Sequence, residues 1–497
     1  MMRSAFLGIA CTVCCLFARA QQPAPLRFCA TEPIRLPWLE AYQQAGTPMV
    51  RSNNKLYLPV VVHIVRSDQG KSAFRESQIL DAFCTLNAYF APFEIEFVLQ
   101  QPFLYPQNSD WYDHSDGQTA YTMMRTTRVQ NAINTYFVFN AANACGYTLR
   151  ESTGLALGIA LSGSCPGMEG NAWAHEMGHY FSLPHTFNGW ENYPYDYNKP
   201  APLKINQIEV EKADRSNCRS AGDGFCDTPA DYLNGLWYCD DRNQSPIVQK
   251  DPFGLEFRSD GTLLMSYSGD RCAKRFSVEQ QGAMRFFILQ KLSGLLLREA
   301  SPPVVPRGEI EPTRPSAGAV IGSDEPVVLS WKPMLGITHY LVEVSPIPSF
   351  SFIAFSQVVS DSSCQPDLAA GRNYFWRVRP FNGFSTCPSF SKPSPFSIST
   401  VTAQRGLAPG ESLNVFPNPS TADALWTLEL DSQHGQEWQI TLYNALGNAL
   451  WSAPWAVSQG WNRRHLPDLK LPAGAYFLHL RAGEKRVVRK LLIIPSL

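Results

Sequence analysis

Three histidines and one glutamate occur within eleven residues of the sequence. His175 and His179 are four residues apart, so on a helix their imidazoles lie on one face and can bind one metal ion. Glu176 follows the first histidine, which places a carboxylate beside that metal. Pro184 cannot lie within a continuing helix, so the chain turns before His185, which can return as a third ligand. The spacing predicts a three-histidine zinc site with an open fourth position.

An open position on zinc gives these residues a reaction to perform. Zinc lowers the pKa of bound water toward about 7, and Glu176 is placed to take a proton from water as it attacks a carbonyl. Three of the nine histidines share this spacing, which is more specific than a bare H-E-x-x-H. The pattern therefore predicts peptidase chemistry. The other histidines are expected to be structural or surface residues: His63, His114, His339, His434, His465 and His479.

The elements around these residues predict an α/β domain with a mixed sheet. Leu56–Val65 is an apolar, β-branched strand, and Ser77–Phe90 has helical spacing. Phe93–Leu99 alternates as a strand should, and Tyr136–Phe139 is a further apolar strand. The helical segment 171–182 then carries the first two histidines and the glutamate.

A long helix is expected to close this domain. Ser277 and Gln280 make a capping box for a helix that runs to about Glu299. Prolines recur through residues 301–326, which excludes a helix and predicts a stiff, extended linker. The predicted catalytic domain therefore covers residues 51–300.

Two all-β sandwich domains are expected after the linker. Short aromatic and β-branched strands recur in residues 327–403, where Trp331 and Trp376 are expected in the core. Cys364 and Cys387 are available to pair with each other there. This segment resembles a fibronectin type III-like domain, and a generic β-sandwich is the alternative.

Residues 411–497 alternate short strands with Gly or Pro turns and predict the second sandwich. The segment opens with Val-Phe-Pro-Asn-Pro at 415–419 and closes with Gly-Ala-Tyr-Phe-Leu at 474–478. These ordered motifs resemble the C-terminal sorting domain of the type IX secretion system. The resemblance implies export by that machinery, followed by release or attachment at the cell surface. An Ig-like binding module is the alternative.

Residues 1–20 have the pattern of a secretory signal peptide. An apolar run from Ala5 to Phe17 precedes an A-x-A cleavage site that ends at Ala20. A membrane anchor is the alternative, but the run is shorter than the ~20 residues that a span needs. No later segment reaches that length, so we expect no transmembrane segment. Residues 21–50 are expected to form a pro-segment.

The composition fits an exported protein of several domains. Its 497 residues are 44% hydrophobic and 17% charged, which suits about two to four packed domains. A formal net charge of -1 provides no basic field for nucleic acid. Three of the 13 cysteines lie in the predicted signal peptide, and the even number left predicts disulfides.

The histidine spacing resembles the motif of the metzincin zinc peptidases, H-E-x-x-H-x-x-G-x-x-H followed by a Met-turn. Ser182 occupies the glycine position, where the family has a residue suited to a positive φ, so this turn departs from the pattern. Met265 and Tyr267 lie in the Met-turn candidate, Leu-Met-Ser-Tyr. The resemblance implies that Met265 forms a floor beneath the zinc and that Tyr267 assists the oxyanion.

Further motifs narrow the resemblance to the pappalysin or cytophagalysin-like branch, over roughly residues 50 to 300. They are Pro59–Val65, His175–Phe187, Gly222–Pro229 and Met265–Phe276.

In this branch a disulfide-braced, acidic loop binds calcium. The resemblance therefore implies Asp223, Asp227 and Thr228 as calcium ligands, with a solvated acidic turn as the alternative. By family order it also implies two disulfides, Cys218 with Cys239 and Cys226 with Cys272.

Cys29 precedes the first long strand and is a candidate cysteine switch. Its thiolate can occupy the open zinc position in a latent zymogen, and an ordinary disulfide is the alternative. A free Cys29 requires a second unpaired thiol, for which Cys84 in an apolar helix is the natural candidate.

Arg271 is a candidate specificity residue, because the segment after the Met-turn walls the pocket for the residue after the scissile bond in metzincins. An Arg271 that points into this pocket favours an acidic or polar side chain there. An Arg271 that points to solvent has no such effect.

These observations together predict a secreted or cell-surface zinc endopeptidase that acts on proteins or peptides, with Ca²⁺ as a second candidate cofactor. The sequence carries no signal for oligomeric state. A surface adhesin with a vestigial zinc site is the main rival, although binding alone does not require Glu176. A zinc hydrolase of non-peptide amides shares the chemistry and differs only in its substrate.

Overall fold

The computed structural model describes residues 27–33, 36–45, 54–165, 171–269, 271–297, 308–323, 325–400, 407, 410–421, 425–483 and 485–495. The chain divides into two compact units. The first comprises residues up to Gly308 together with Met334–Leu341 and Pro380–Ser389, and the second comprises the remaining segments from Glu309 onward. The predicted signal peptide lies outside the described residues.

The helices of the described residues all lie in the first unit. They are α1 (Pro37–Gln44), α2 (Glu76–Phe90), α3 (Ser109–Tyr112), α4 (Gly117–Thr127), α5 (Asn171–Tyr180) and α6 (Val278–Lys291), with 3-10 turns at Ala91–Phe93 and Ser293–Leu295. None of them is long and apolar enough to cross a membrane. Ser277 caps α6 as predicted, since its hydroxyl accepts the Gln280 N–H at 3.2 Å. Helix α6 ends at Lys291 instead of near Glu299, because the glycine of the following Ser-Gly pair disfavours helix.

The strands of the first unit include the predicted ones. They are β1 (Arg27–Cys29), β2 (Leu56–Ile64), β3 (Ile95–Leu99), β4 (Asp113–His114), β5 (Ile133–Val138), β6 (Asn140–Ala141), β7 (Ala144–Arg150), β8 (Ala156–Ser162), β9 (Lys204–Ile205), β10 (Ile208–Glu209), β11 (Gln249–Lys250) and β12 (Glu256–Phe257).

The mixed sheet that the sequence predicts is present. Its strand order is β3-β2-β5-β8-β7-β6-β4, with β1 beside β7. The strands β3, β2, β5 and β8 pair in parallel, whereas β7 is antiparallel to β8. Successive residues Val60, Val61 and Val62 of β2 are fully buried, so both faces of the sheet are covered at this strand. Helix α5 packs on α2, β7 and β8.

The chain after residue 308 contains strands and no helix among its described residues. The strands are β13 (Pro312–Arg314), β14 (Ala319–Ile321), β15 (Leu329–Trp331), β16 (His339–Ser345), β17 (Phe355–Val359), β18 (Ser363–Cys364), β19 (Arg372–Phe381), β20 (Ser394–Ile398), β21 (Ser412–Phe416), β22 (Ser420–Thr421), β23 (Thr427–Ser432), β24 (Gln436–Asn444), β25 (Ala449–Val457), β26 (Gly460–His465), β27 (Gly474–Ala482) and β28 (Lys485–Ile494).

These strands form two pairs of sheets. The first pair is β13-β15-β18 with β14-β20-β19-β16-β17, and the second is β21-β23-β26 with β22-β28-β27-β24-β25. Trp331 and Trp376 are buried with ring centroids 6.3 Å apart, as expected for core residues of the first pair. Trp438 lies in the core of the second pair. Both segments are therefore sandwich-like, and strands β13 and β14 fall within the predicted linker.

The long-range disulfide differs from the prediction. Cys84 bonds to Cys387, and Cys364 is free, so the expectations of an unpaired Cys84 and of a Cys364 pair with Cys387 are wrong. The Leu99 N–H donates to the Gly383 carbonyl at 2.8 Å, which brings the loop of Cys387 to the edge of the sheet near α2. A contact between residues 303 positions apart leaves no local pattern.

Candidate active site

Helix α5 carries His175, Glu176 and His179, and each of its residues is buried. Two glycines permit the close packing that this burial requires. A Cβ on Gly178 would lie 2.4 Å from the Met265 Sδ, and a Cβ on Gly146 of β7 would lie 3.0 Å from the Glu176 Cγ. Both glycines therefore allow the helix to approach its neighbours closely.

The imidazoles of His175, His179 and His185 converge on one point, and we call these residues the histidine cluster. The His179 Nε2 lies 3.1 Å from the His175 Nε2 and 3.0 Å from the His185 Nε2. The chain reaches His185 through a turn in which Ser182 has φ 73°. Serine thus adopts the left-handed conformation for which glycine is preferred.

The Nδ1 atoms of the two helical histidines point to carbonyl oxygens. His175 Nδ1 donates to Leu264 O at 2.6 Å, and His179 Nδ1 donates to Leu183 O at 2.8 Å. A carbonyl only accepts, so the proton lies on Nδ1 and each neutral ring presents a lone pair at Nε2. Burial lowers the pKa of His175 to about 3 and that of His179 well below its usual value. The converging Nε2 lone pairs form a donor set suited to one cation.

Cys29 brings a fourth ligand-type side chain to the histidine cluster. One ligand atom from each of the four residues lies within 4.8 Å of the others. The thiol is buried and unpaired, and burial raises its pKa. Cys29 ends β1, which pairs in parallel with β7 so that Cys29 lies opposite Gly146. Cys29 belongs to the predicted pro-segment, residues 21–50, which we call the N-terminal segment. Backbone pairing of this segment with β7 thus positions the thiol.

The same N-terminal segment covers the Glu176 carboxylate. Glu176 Oε2 accepts from Thr31 Oγ1 at 2.9 Å and lies 3.1 Å from Thr148 Oγ1. The Thr31 hydroxyl oxygen also accepts the Thr148 N–H at 2.8 Å. Burial raises the pKa of Glu176 to about 7, although these hydrogen bonds oppose the shift.

Met265 and Tyr267 both lie beside the histidine cluster. Met265 is fully buried against Gly178 of α5. The Tyr267 ring centroid is 5.0 Å from that of His185, and the Tyr267 hydroxyl donates to the Cys29 carbonyl at 3.4 Å. Burial raises the pKa of Tyr267 well above its usual value.

Asp231 is a buried residue near the cluster that no sequence motif indicated. Its Oδ2 accepts from Thr186 Oγ1 at 2.7 Å and from Ser266 Oγ at 2.8 Å. These bonds join the residue after His185 to the residue after Met265. Burial raises the pKa of Asp231. Asp231 lies in an irregular loop, where there is no periodicity to reveal it.

Asp223 and Thr228 lie together in the predicted calcium loop, with Glu211 as an unforeseen neighbour. Asp223 Oδ1 accepts from Thr228 Oγ1 at 2.9 Å and from the Phe225 N–H at 3.0 Å. Asp223 Oδ2 and Glu211 Oε1 are buried and have no hydrogen-bond partner in the described part of the chain. We call Glu211 and Asp223 the carboxylate pair. Burial raises the pKa of Asp223 to about 8, and burial followed by the charge of Asp223 raises that of Glu211.

Asp227 lies at a different place from the carboxylate pair. Its Oδ1 accepts from Ser277 Oγ at 2.7 Å, and its Oδ2 accepts the Glu279 N–H at 2.8 Å. Both contacts are at the start of α6, where an acidic side chain satisfies free N–H groups and complements the helix dipole. The structure therefore gives Asp227 a capping position.

The two disulfides of this region connect differently from the family-order prediction, which is wrong. Cys218 bonds to Cys226 and Cys239 bonds to Cys272. The first pair closes a short loop, because the cysteines are only eight residues apart and their Cα atoms are 5.1 Å apart. The second pair is brought together where the Trp237 N–H donates to the Tyr267 carbonyl at 3.1 Å.

Arg271 is exposed. A cavity of about 230 Å³ lies beside the histidine cluster, between the N-terminal segment and residues that include His185, Glu191 and Tyr267. Arg271 is not among the described residues that line it. Its predicted effect on specificity stays a prediction.

Residues 414–494 match the family described as a secretion system C-terminal sorting domain. The matched residues are the last sandwich-like segment, where the sequence predicted such a domain. The match places the chain among secreted or cell-surface proteins.

Two curated relatives are extracellular metalloproteases. One from Colletotrichum graminicola is 27% identical over 252 residues, 47% of this chain and 76% of the relative. One from Podospora anserina is 25% identical over 247 residues, 46% of this chain and 72% of the relative. Both support a secreted metallopeptidase.

Among solved structures, the fibronectin(III)-like modules of Clostridium thermocellum CbhA align with 37% of this chain and 94% of their own. The identity is 10% and the TM-score is 0.18. A score this low does not inform the fold.

Proposed function

We propose that this protein is a zinc-dependent endopeptidase of the metzincin class, with a pappalysin-like catalytic domain at residues 51–300. The convergence of three Nε2 atoms on one point, with a buried glutamate on the same helix, carries the proposal. The relatives support the metallopeptidase class. The chemistry of the donor set favours zinc, because three neutral imidazoles and one free position are typical of catalytic zinc.

The histidine cluster would hold the metal, and Glu176 would move the proton. A zinc ion bound there supplies a Lewis acid that lowers the pKa of water and polarises the scissile carbonyl. Glu176 Oε2 accepts the proton of the attacking water, whose oxygen bonds to the carbonyl carbon. Glu176 then donates that proton to the amide nitrogen as the C–N bond breaks, so the products are a carboxylic acid and an amine.

Two neighbours assist this step. Thr148 hydrogen-bonds both the carboxylate and the main-chain oxygen of Glu176, at 3.1 Å and 2.8 Å, which orients the general base. Tyr267 lies against His185. Its raised pKa keeps the hydroxyl protonated, so Tyr267 can donate a hydrogen bond to the oxyanion of the substrate.

The N-terminal segment would keep the enzyme latent. Cys29 would offer its sulfur as a fourth ligand, since that atom lies within 4.8 Å of a nitrogen of each histidine, and Thr31 hydrogen-bonds the Glu176 oxygen that water would use. Removal of residues 21–50 would release both blocks together. A cysteine switch of this kind requires a free thiol, which Cys29 has.

Calcium is proposed at the carboxylate pair. Two buried carboxylates with unpartnered oxygens are costly unless they are protonated or bound to a cation. Glu211, Asp223 and Thr228 offer oxygen ligands, and main-chain carbonyls or water would complete the six to eight that calcium takes. Glu211 replaces Asp227 in this proposal, because Asp227 caps α6.

Three further assignments complete the proposed protein. The fibronectin type III-like domain at residues 327–403 is an accessory module, and the type IX secretion machinery would recognise residues 411–497. Arg271 would select an acidic or polar side chain after the scissile bond if it turns toward the cleft.

The test is hydrolysis of a denatured protein and of a quenched peptide library, with zinc content measured in parallel. The samples are the full chain, the chain freed of its N-terminal segment, Cys29→Ala and Glu176→Ala. We expect the processed chain and Cys29→Ala to be more active than the full chain. Glu176→Ala should bind about one zinc and hydrolyse nothing, because binding does not need the general base.

Three results would contradict parts of the proposal. A processed chain that binds zinc but cleaves no substrate would favour the vestigial-site adhesin. Hydrolysis that persists in Glu176→Ala would mean that another group is the base. Cleavage sites with a basic residue after the scissile bond would contradict the role of Arg271.

A further inference from the structure

The third histidine of the cluster has a different partner from the other two. The Nδ1 atoms of His175 and His179 donate to main-chain carbonyls. The Nδ1 of His185 lies 3.2 Å from Glu191 Oε1. Of the three groups that accept from an Nδ1 of the histidine cluster, two are main-chain carbonyls and one is the side chain of Glu191. The Glu191 side chain is 12% exposed.

A tight loop brings Glu191 back to His185. The Asn188 N–H donates to the His185 carbonyl at 3.1 Å, which closes the first turn. Gly189 has φ 101°, a conformation that suits glycine. Its N–H donates to Glu191 Oε2 at 2.7 Å. Each carboxylate oxygen of Glu191 thus has its own donor, and the carboxylate cannot turn away from the imidazole without losing one.

The loop is also anchored outside itself. Asn188 Nδ2 donates to the Gly222 carbonyl at 2.7 Å, and the Trp190 ring stacks on Tyr232 with centroids 4.6 Å apart. The His185 ring stacks on Phe187 with centroids 4.6 Å apart. Stacking sets the plane of the imidazole, and Glu191 then determines which nitrogen carries the proton.

We infer that Glu191 is a positioning residue for His185, an inference that rests on the proposed zinc function. The carboxylate accepts the proton-bearing Nδ1, so the Nε2 lone pair faces the metal. Its negative charge also makes the imidazole a stronger donor. Removing such a partner typically weakens metal binding about 10- to 100-fold.

The test compares zinc affinity in full-length wild type, Glu191→Ala and Glu191→Gln, by competition with a chromogenic chelator. Asp196→Asn is the matched control, since Asp196 lies five residues further on, has a side chain that is 48% exposed and pairs with Lys199. Visible spectra of the cobalt-loaded proteins report ligand geometry, and melting of the metal-free proteins reports folding.

We expect Glu191→Ala to bind zinc about 10- to 100-fold more weakly and to shift the cobalt bands. Glu191→Gln should fall between it and wild type, because its one amide oxygen can still accept from Nδ1 but carries no charge and leaves the Gly189 N–H without its acceptor. Asp196→Asn should match wild type. The metal-free variants should melt like the metal-free wild type.

Other outcomes would contradict either the proposed function or the role of Glu191. Wild type that binds no zinc overturns the proposed function itself. If wild type binds zinc and Glu191→Ala binds it equally tightly, only the role of Glu191 is overturned. If Glu191→Ala and Glu191→Gln lose affinity equally and both melt lower without metal, Glu191 stabilises the loop and the positioning role is overturned.

Discussion

The histidine cluster and the carboxylate pair are both buried in the first unit, but their polar atoms are satisfied in opposite ways. In the histidine cluster, each Nδ1 has an acceptor and only the Nε2 atoms face inward. In the carboxylate pair, Glu211 Oε1 and Asp223 Oδ2 have no partner in the described chain. The first site is organised before a metal arrives, whereas the second depends on a proton or a cation for its stability.

The N-terminal segment touches both sites, and the contacts again differ. At the histidine cluster it presents side chains, the Cys29 thiol and the Thr31 hydroxyl. At the carboxylate pair, Gln43 of α1 donates to the Asp223 carbonyl at 2.8 Å and leaves the carboxylate alone. Removal of the segment should therefore expose the reaction centre while the acidic loop keeps its ligands.

Selective chelation should separate the two sites most strongly. In the processed chain, a zinc-selective chelator is expected to lower hydrolysis by about 10³-fold or more, because water loses its activation. The calcium-dependent rise in melting temperature should stay. A calcium-selective chelator should lower the melting temperature first. The hydrolysis rate and the melting temperature, measured with each chelator, check this. If one chelator lowered both to the same degree, the two sites would not be independent.

His63 tests what burial does to an imidazole outside the cluster. It lies on β2, its Nε2 is 2.9 Å from Asn134 Oδ1, and burial lowers its pKa to about 4. Above pH 6.5 the His63 imidazole is neutral in both the folded and the unfolded chain. As pH falls from 6.5 to 4, the unfolded chain takes up a proton that the native chain does not. His63 alone should therefore lower the free energy of unfolding by about 3 kcal/mol over this range, and its contribution should level off below it.

Urea unfolding between pH 7.5 and 3.5 measures this effect. His63→Gln should flatten the pH dependence by the same amount, and replacement of the exposed His434 by Gln is the control. An equal pH dependence in wild type and His63→Gln would contradict the prediction.

Glu211→Gln and Asp227→Asn distinguish the structural ligand set from the one implied by the family resemblance. Calcium at about 100 times its Kd should stabilise wild type by about 2.7 kcal/mol, and Glu211→Gln should lose most of that gain. Asp227→Asn removes a negative charge from the start of α6, so it should cost about 0.5 kcal/mol with or without calcium. Thermal unfolding with and without calcium decides. The reverse pattern would restore Asp227 as a ligand and remove Glu211.

Ser182→Gly should give the smallest effect. Serine at φ 73° carries the left-handed penalty that glycine lacks, so the substitution should raise the free energy of unfolding by about 1 kcal/mol. Zinc content should not change. Asn131→Gly, at φ 58°, is the control, because asparagine tolerates this conformation and should gain less. A less stable Ser182→Gly would mean that the buried Ser182 hydroxyl is needed.

The sequence predicted those parts of the fold and of the site that depend on the spacing of nearby residues. Helix α2, the Ser277 cap of α6 and the mixed sheet follow from periodicity and capping chemistry. The grouping of His175, Glu176 and His179 follows from helix geometry alone. The two core tryptophans of the first sandwich-like segment follow from strand patterning.

What the patterns missed lies in irregular loops. Glu191, Glu211 and Asp231 have no periodic neighbours, so nothing in the sequence marks the atoms that they contact. The disulfide partners were predicted wrongly for the same reason, since cysteine pairing depends on how loops fold back. Sequence proximity to Asp223 also does not reveal that the Asp227 side chain points to the start of α6, so its predicted role as a calcium ligand stays a prediction.

The bond between Cys84 and Cys387 changes the covalent topology of the chain. It closes a loop over a sequence separation of 303 residues, which contains every residue of the histidine cluster and of the carboxylate pair. A single peptide-bond cut anywhere between the two cysteines opens this loop and releases no fragment. For a protein proposed to cut peptide bonds, one autolytic nick would therefore leave the two pieces tethered, and they would separate only after the disulfide is reduced.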